Sequence, residues 1–242
     1  MAKIRIQKAL SSAGLASRRA VEQMLLAGRI TVNGRTVTEL PCFVEPGDEI
    51  LVDGQAVRKR RPRKVYVLLN KPRGVVCTQK DAPRYDRPRA VDLIPDTGAR
   101  VYCVGRLDED STGLIVLTND GELTNRLTHP RYGVEKTYLV RVAGRLTAEE
   151  VAGARRGVFL GGRRSAAAVK VLRSGPTESL VEVRLSEGRN RQVRRMLARL
   201  GHKVRRLHRS AIGSVTDRGL KIGKFRRLRH SEVASLRRLA GL

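Results

Sequence analysis

The sequence predicts an α+β protein of two domains, and three observations carry that prediction. Residues 1–57 set two segments of helical periodicity ahead of short strands joined by tight turns. Residues 58–64, Arg58-Lys59-Arg60-Arg61-Pro62-Arg63-Lys64, are basic at every position but the proline, which is the composition of an exposed linker or basic tether. From residue 65 onward apolar strands alternate with helical segments, so a second, larger domain is expected over 65–242.

In the first domain Ile6, Ala9 and Leu10 recur at helical spacing, and Ser17 is placed to cap a second helix that turns Val21, Met24 and Leu25 inward and ends at Gly28. The strand Ile30 to Val32 meets Asn33-Gly34, a type I′ hairpin signal, and returns as Arg35 to Val37. Pro46-Gly47-Asp48 precedes a strand over Glu49 to Val52. The second domain opens on a strand from Val65 that stops at the turn Asn70-Lys71-Pro72-Arg73-Gly74, and the polar, proline-bearing stretch Thr78 to Arg89 reads as a mobile loop. Strands follow at Val101 to Val104 and Leu114 to Leu117, then a helix through Glu122 to Leu127 and a strand over Thr137 to Val142. A helix through Ala148 to Arg155, strands near Ala166 to Leu172 and Leu180 to Leu185, and a helix from Arg191 to Leu200 complete the reading.

Composition restricts the partner. Fifty Lys and Arg against 23 Asp and Glu give a formal charge of +27, which draws the chain to a polyanion, and nucleic acid is the natural one. No segment approaches the roughly 18 apolar residues needed to span a bilayer. The basic start lacks the apolar stretch of a signal peptide, so a cytoplasmic location is expected. Cys42, Cys77 and Cys103 lie far apart in sequence and show no ligand spacing with His129, His202, His208 or His230, which suggests neither a metal site nor a disulfide framework. No glycine-rich phosphate loop is present, and no cofactor is expected. With five Tyr, three Phe and no Trp, a broad stacking platform is excluded and any base stacking must be local.

The most informative run is Gly105-Arg106-Leu107-Asp108-Glu109-Asp110-Ser111-Thr112-Gly113, which holds a carboxylate between two apolar strands, where a rigid scaffold can present a reactive side chain. It resembles the Gly-Arg-Leu-Asp motif of the bacterial rRNA pseudouridine synthases. Asn70-Lys71-Pro72-Arg73-Gly74 resembles the Asn-Lys-Pro-x-Gly signature that opens their catalytic domain, Lys136-Thr137-Tyr138 their Lys-x-Tyr motif, and Gly188-Arg189-Asn190-Arg191-Gln192-Val193-Arg194-Arg195-Met196 their Gly-Arg-x-x-Gln-Val-Arg-Arg-Met motif. Ile4 to Val52 resembles the alpha-L RNA-binding module. One position departs from the pattern: Ser111 stands where the family usually has Thr, keeping the hydroxyl and losing the methyl.

The resemblance implies a small alpha-L RNA-binding domain (1–57), the linker (58–64) and a catalytic domain (65–242) built on a mixed, mainly antiparallel sheet flanked by helices. It implies isomerisation of a uridine in ribosomal RNA, with Asp108 as nucleophile, Tyr138 stacked on the flipped base and the Arg of Gln-x-Arg, Arg194, paired with Asp108. On a helix from Arg191 to Leu200, Val193, Met196, Leu197 and Leu200 form an apolar stripe with Arg194 at its border, a place from which a head group can enter a cleft. Arg191, Arg195 and Arg199 fall on the opposite face, suited to phosphates. Arg106 points the same way as Asp108 on an extended segment. Lys8, Arg18, Arg19, Arg29, Lys71 and Arg189 complete the expected RNA contacts.

Residues 131–138 and 187–191 look more like the branch acting on large-subunit rRNA, and a monomer is expected. The alternatives are the same reaction on small-subunit rRNA and a non-enzymatic rRNA-binding or ribosome-assembly protein, which the charge would serve equally well. A metal-dependent nuclease drawing on Glu109, Asp110, Asp92, Asp96 and Asp120 is a further reading, although Glu109 and Asp110 project in different directions.

Overall fold

The computed structural model describes residues 3–57, 62–78 and 87–242, so most of the basic tether (58–61) and of the polar loop (79–86) lies outside the described residues. The chain divides into two compact units, one up to Val65 with Thr97–Arg100 and one of Tyr66–Asp96 with Val101–Leu242. Thr97–Arg100, expected within the second domain, thus groups with the first.

The first unit runs β1 (Ile4–Arg5), α1 (Ile6–Ser12), α2 (Arg18–Leu26), β2 (Ile30–Val32), β3 (Arg35–Thr36), β4 (Phe43–Val44), β5 (Ile50–Val52) and β6 (Gln55–Ala56). Ser17 caps α2 by accepting from the Ala20 N–H at 3.1 Å. Ile6, Leu10, Val21, Leu25, Ile30, Val44 and Val52 meet in one core. Asn33 and Gly34 take φ of 50° and 77°, the left-handed pair that the β2–β3 hairpin needs. Asn33 also accepts from the Glu49 N–H and donates to Asp48, each at 2.9 Å, tying this hairpin to the Pro-Gly-Asp turn. A second hairpin, β5–β6 on Asp53 and Gly54, has the same geometry.

The second unit contains β7 (Tyr66–Lys71), β8 (Tyr102–Cys103), β9 (Thr112–Thr118), α3 (Gly121–Thr128), β10 (Lys136–Ala143), α4 (Ala148–Arg156), β11 (Val158–Leu160), β12 (Arg163–Ser165), β13 (Ala168–Ser174), β14 (Glu178–Leu185), α5 (Gln192–Arg199), β15 (Val204–Ile212), β16 (Val215–Thr216), β17 (Phe225–Arg227) and α6 (His230–Leu239). Among the described residues its main sheet has the order β13-β14-β10-β15-β9-β7-β17, with β16 beside β15 and β8 beside β9. Every neighbouring pair is antiparallel except β15–β9, a short parallel seam of His208 with Thr112 and Arg209 with Gly113. The sheet is therefore mixed and mainly antiparallel.

Helices flank it. Leu123 and Leu127 of α3 and Val233 and Leu236 of α6 cover Leu68, Leu114, Val116 and Ile212, while α4 packs on β13 and α5 on β11 and β15. Thr147 and Glu150 close a reciprocal capping box at the start of α4. Asp120, considered above as a metal ligand, instead caps α3 through the Glu122 and Leu123 N–H groups and accepts from the Tyr66 hydroxyl at 2.8 Å. Among the described residues no helix is long and apolar enough to cross a membrane.

Candidate active site

Each residue of the Asn70-Lys71-Pro72-Arg73-Gly74 turn has a structural task. Asn70 donates to the Leu220 carbonyl at 2.7 Å and so anchors the end of β7. Lys71 is fully buried, and its ammonium donates to the Pro72 and Val75 carbonyls at 2.9 Å each, closing the turn from inside. This corrects the expectation that Lys71 contacts RNA: a side chain with no exposed surface cannot reach a phosphate. Gly74, at φ 82°, turns its N–H onto the Glu109 carbonyl at 2.9 Å, joining this motif to the carboxylate loop.

That loop is fixed by the residues that follow it. The Ser111 N–H donates to the Asp108 carbonyl at 3.1 Å, and Ser111 is itself fully buried, so the loss of a methyl relative to Thr leaves its hydroxyl in use. Gly113 is required sterically, since a Cβ there would lie 2.4 Å from both the backbone N and O of Arg209. Only a residue without one lets β9 and β15 approach in parallel. Thr112 shares a 2.8 Å hydrogen bond with His208 Nδ1, and His208 Nε2 shares one of 2.7 Å with Asp217, which binds the seam from the other face of the sheet. Asp108 emerges above this seam, with its side chain 24% exposed.

The arginines of α5 come to Asp108 differently from the expectation. The helix begins at Gln192, and Arg191 is its cap with a left-handed backbone (φ 48°, ψ 34°). That turn swings Arg191 off the phosphate face, and its Nη1 reaches Asp108 at 3.3 Å while Nη2 reaches Asp110 at 3.5 Å. Arg194, whose side chain is 12% exposed, makes its shortest ion pair with Asp110 at 3.1 Å and donates to Ser111 Oγ at 3.3 Å. Its Nε is buried without a hydrogen-bond partner and lies 4.0 Å from Asp108. Arg194 thus faces Asp108 at the limit of ion pairing, and Asp110 is the carboxylate that neutralises it. Burial works against the charge on Asp110, but Arg194 and Arg191 outweigh it and hold that carboxyl below its ordinary range. Gln192, buried, receives the Arg189 N–H at 3.0 Å and so shapes the Gly-Arg-x-x-Gln turn. A cleft of about 370 Å³ lined by Arg73, Gly74, Glu109, Asp110 and Arg191 opens beside Asp108.

Tyr138 enters through sheet register. Cα partners run from Lys71 to Gly113, from Gly113 to Arg209 and from Arg209 to Tyr138, so Tyr138 stands two strand spacings, about 10 Å, from the glycine of the seam. It is 8% exposed, more buried than a half-covered strand tyrosine. Two cations share its face of the sheet: Arg209, which donates through Nε to the Leu114 carbonyl at 2.6 Å and keeps a buried Nη2 without a partner, and Lys136, two residues before Tyr138. Burial, with Arg209 adding repulsion, pushes the Lys136 ammonium down to about 8. Beneath the loop the Cys77 thiol accepts from the Leu107 N–H at 3.5 Å, and a hydrogen bond with Cys103 draws its pKa down. Sequence reasoning missed Asp110 as a partner of both arginines, and Arg209 and Lys136 as cations of this face.

The other expected RNA contacts separate by exposure. Lys8, Arg18, Arg19, Arg106, Arg195 and Arg199 are exposed, and Arg189 is partly covered and paired with Glu187 at 2.9 Å. The Arg29 fork is engaged by Asp53 at 2.8 and 2.6 Å, so it meets RNA only by exchanging that partner.

Residues 65–199 match the RNA pseudouridylate synthase family and residues 4–50 the S4 domain, the module read above as alpha-L. The chain is 42% identical over 241 residues to the "Ribosomal large subunit pseudouridine synthase B" of Bacillus subtilis, covering 98% of this chain and 96% of the relative. It is 35% identical over 237 residues to the "Dual-specificity RNA pseudouridine synthase RluF" of Escherichia coli K12, covering 98% and 79%. A solved "pseudouridylate synthase" superimposes with a TM-score of 0.69 at 32% identity, covering 96% of this chain and 99% of that one.

Proposed function

From the premise that this chain belongs to the RNA pseudouridylate synthase family and carries an S4 domain, we propose that it converts a uridine of large-subunit ribosomal RNA to pseudouridine, with Asp108 as the reacting carboxylate. The observation that carries the reading is the convergence of the motif segments at the β9–β15 seam, where Asp108 meets the guanidinium groups of α5. The Bacillus subtilis relative, whose name gives the large subunit, supports the choice of RNA.

In the reaction the N1 to C1′ bond breaks, the base turns, C5 joins C1′, and the C5 proton leaves while N1 regains one. A uridine must first leave its stack, which costs a few kcal/mol, and a stack on Tyr138 returns roughly 1 to 3 kcal/mol of it. Arg191 and Arg194 favour the ionised form of the carboxylate they face and orient it. The unpartnered Arg194 Nε fits a contact that tightens when RNA displaces the looser ion pairs, as free-enzyme contacts commonly do on forming the reactive complex.

Asp108→Asn is expected to abolish isomerisation while leaving RNA affinity within a few fold, because the amide is nearly isosteric and a far poorer nucleophile. The purified variant and the wild type are incubated with in vitro transcripts of 23S and 16S rRNA, and pseudouridines are mapped. Turnover by the variant at the wild-type rate overturns the role of Asp108, and a product in the 16S transcript alone overturns the choice of RNA.

A further inference from the structure

The β11–β12 hairpin takes no part in the chemistry described, yet its composition is unusual for a surface hairpin. Its turn residues Gly161 and Gly162 have φ of 60° and 77°, the type I′ geometry that holds two short strands in register. Val158 pairs with Ser165, Phe159 with Arg164 and Leu160 with Arg163. Leu160 and Ser165 are buried on the inner face. On the outer face stands Phe159, 65% exposed, the most exposed large apolar side chain among the described residues.

A guanidinium stands beside that ring, and two more stand at the turn. The Arg164 guanidinium lies 6.0 Å from the ring centroid, at the outer range of cation–π contact, so it flanks the ring without covering it. Arg163 is exposed beside the turn, and Arg195 of α5 reaches it: a Cβ added at Gly161 would lie 3.6 Å from Arg195 Nη2. Among the described residues no carboxylate pairs with Arg163, Arg164 or Arg195. A lone exposed phenylalanine is ordinary. One flanked by Arg164, with Arg163 and Arg195 at the adjoining turn and no carboxylate to neutralise them, repels an apolar partner, which would have to bury those charges, and fits a partner that supplies flat π-faces and a line of negative charge. Single-stranded RNA supplies both. Arg195 is the residue after Arg194, so one helix connects this hairpin to the active site.

We propose that the outer face of the β11–β12 hairpin is a nucleobase platform, on which Phe159 stacks an unpaired base flanking the target uridine while Arg164 beside the ring, with Arg163 and Arg195 at the turn, holds the adjoining phosphates. The proposal rests on the reading of the substrate as RNA. It adds a stacking site outside the catalytic face and a reason for the most exposed large apolar side chain among the described residues.

Because the chain has no tryptophan, Phe159→Trp makes the platform its own reporter. The variant is titrated with a 23S rRNA transcript, with a short oligouridylate and with a fully paired RNA duplex, and its fluorescence is followed. Saturable quenching by the transcript and the oligouridylate, with little by the duplex, is expected. Phe159→Ala should weaken binding roughly five- to a hundredfold, raising KM with kcat at saturating RNA unchanged within about twofold, and Phe159→Trp but not Phe159→Leu should restore it. Arg164→Gln should reduce the slope of log affinity against log salt by about 0.7, the value for one single-strand phosphate contact.

Equal quenching by duplex, rescue by leucine, or unchanged affinity in a folded Phe159→Ala protein overturns the platform. So does quenching that follows protein concentration without RNA, which would mark the face as a contact between copies of the chain. Pseudouridine formation by the wild type, scored in the same samples, keeps the two readings apart. Quenching without product removes the proposed activity alone, and product without quenching removes the platform alone.

Discussion

At Asp108 the pairing of charges is decided by one backbone angle. Periodicity puts Arg191 on the phosphate face, because it extends the helix through that residue. A left-handed cap cannot continue a helix, and it turns Arg191 onto Asp108 and Asp110 instead. The buried Arg194 then takes Asp110 as its nearest carboxylate, which leaves Asp108 held more loosely. In the proposed reaction a carboxylate that engages a nucleotide gains from partners that release it, and Asp110 occupies the more buried guanidinium in the free protein. The same face carries an opposite case in Lys136, a cation held by burial against its charge. Its folded pKa of about 8 lies below the ordinary lysine value of 10.5, so the unfolded chain binds the extra proton between these values. The charged ammonium therefore lowers stability below pH 8, and the cost fades as pH rises toward 10.5. Lys136→Met is expected to melt at a higher temperature than the wild type at pH 7, with the gap closing as pH is raised through that window. Melting curves of the two proteins across that range test this, and a lower melting temperature for the variant at pH 7 would contradict it.

Among the elements, the β9–β15 seam is the joint on which the site depends, and its tolerance can be measured. At Gly113 a methyl group meets the Arg209 backbone at 2.4 Å, and neither strand can move without breaking the row that ends at Tyr138. Gly113→Ala should cost about 3 kcal/mol or more, through overpacking and a φ of 113°. For a chain of this size that lowers the melting temperature by roughly 6 to 12 °C. Gly74→Ala is the control: its φ is 82° but nothing lies within 4 Å of the added carbon, so only strain of about 1 kcal/mol is expected. Equal losses in the two variants, read by circular dichroism, would mean that strand contact is not what Gly113 protects. β9 was legible because Leu114 to Leu117 is an apolar run bounded by turn residues. Its partner β15 was not, since Arg205, Arg206 and Arg209 interrupt the alternation that marks a strand, and the inward Arg209 is accommodated by the Leu114 carbonyl, which sequence cannot display. The Gly161-Gly162 signal of the β11–β12 hairpin was present, but its strands are three residues each, too short for an alternating pattern. Site motifs were readable because they resemble the family's; the Asp108 and Arg189–Arg194 segments combine a turn with a reactive group, whereas Tyr138 lies inside the strand β10. Asp110 was not, because nothing local tells which of three successive acidic residues turns toward α5.

Over the whole molecule a charge of +27 means that attraction to RNA acts everywhere, while the proposed chemistry acts at one carboxylate. These contributions separate in their dependence on salt. Each neutralised duplex phosphate steepens the fall of log affinity with log salt by about 0.9, whereas a group acting on the reacting nucleotide contributes to rate at any salt. Arg18 and Arg19 begin α2, are exposed, and have no carboxylate partner among the described residues. Replacing both with Gln should weaken binding to a 23S rRNA transcript and flatten the slope by up to about 1.8, with kcat at saturating RNA unchanged. Arg29→Gln in the same series should flatten it less, because Asp53 already neutralises that guanidinium and its release offsets any phosphate contact. Asp108→Asn should keep the wild-type slope and lose turnover. Affinity measured between 50 and about 200 mM salt, beside single-turnover rates at the lower value, separates the two groups. A slope unaltered by losing Arg18 and Arg19 would move the electrostatic anchor from the S4 domain to the basic surface of the catalytic unit, where Arg163, Arg164, Arg195 and Arg199 are the next cations to neutralise.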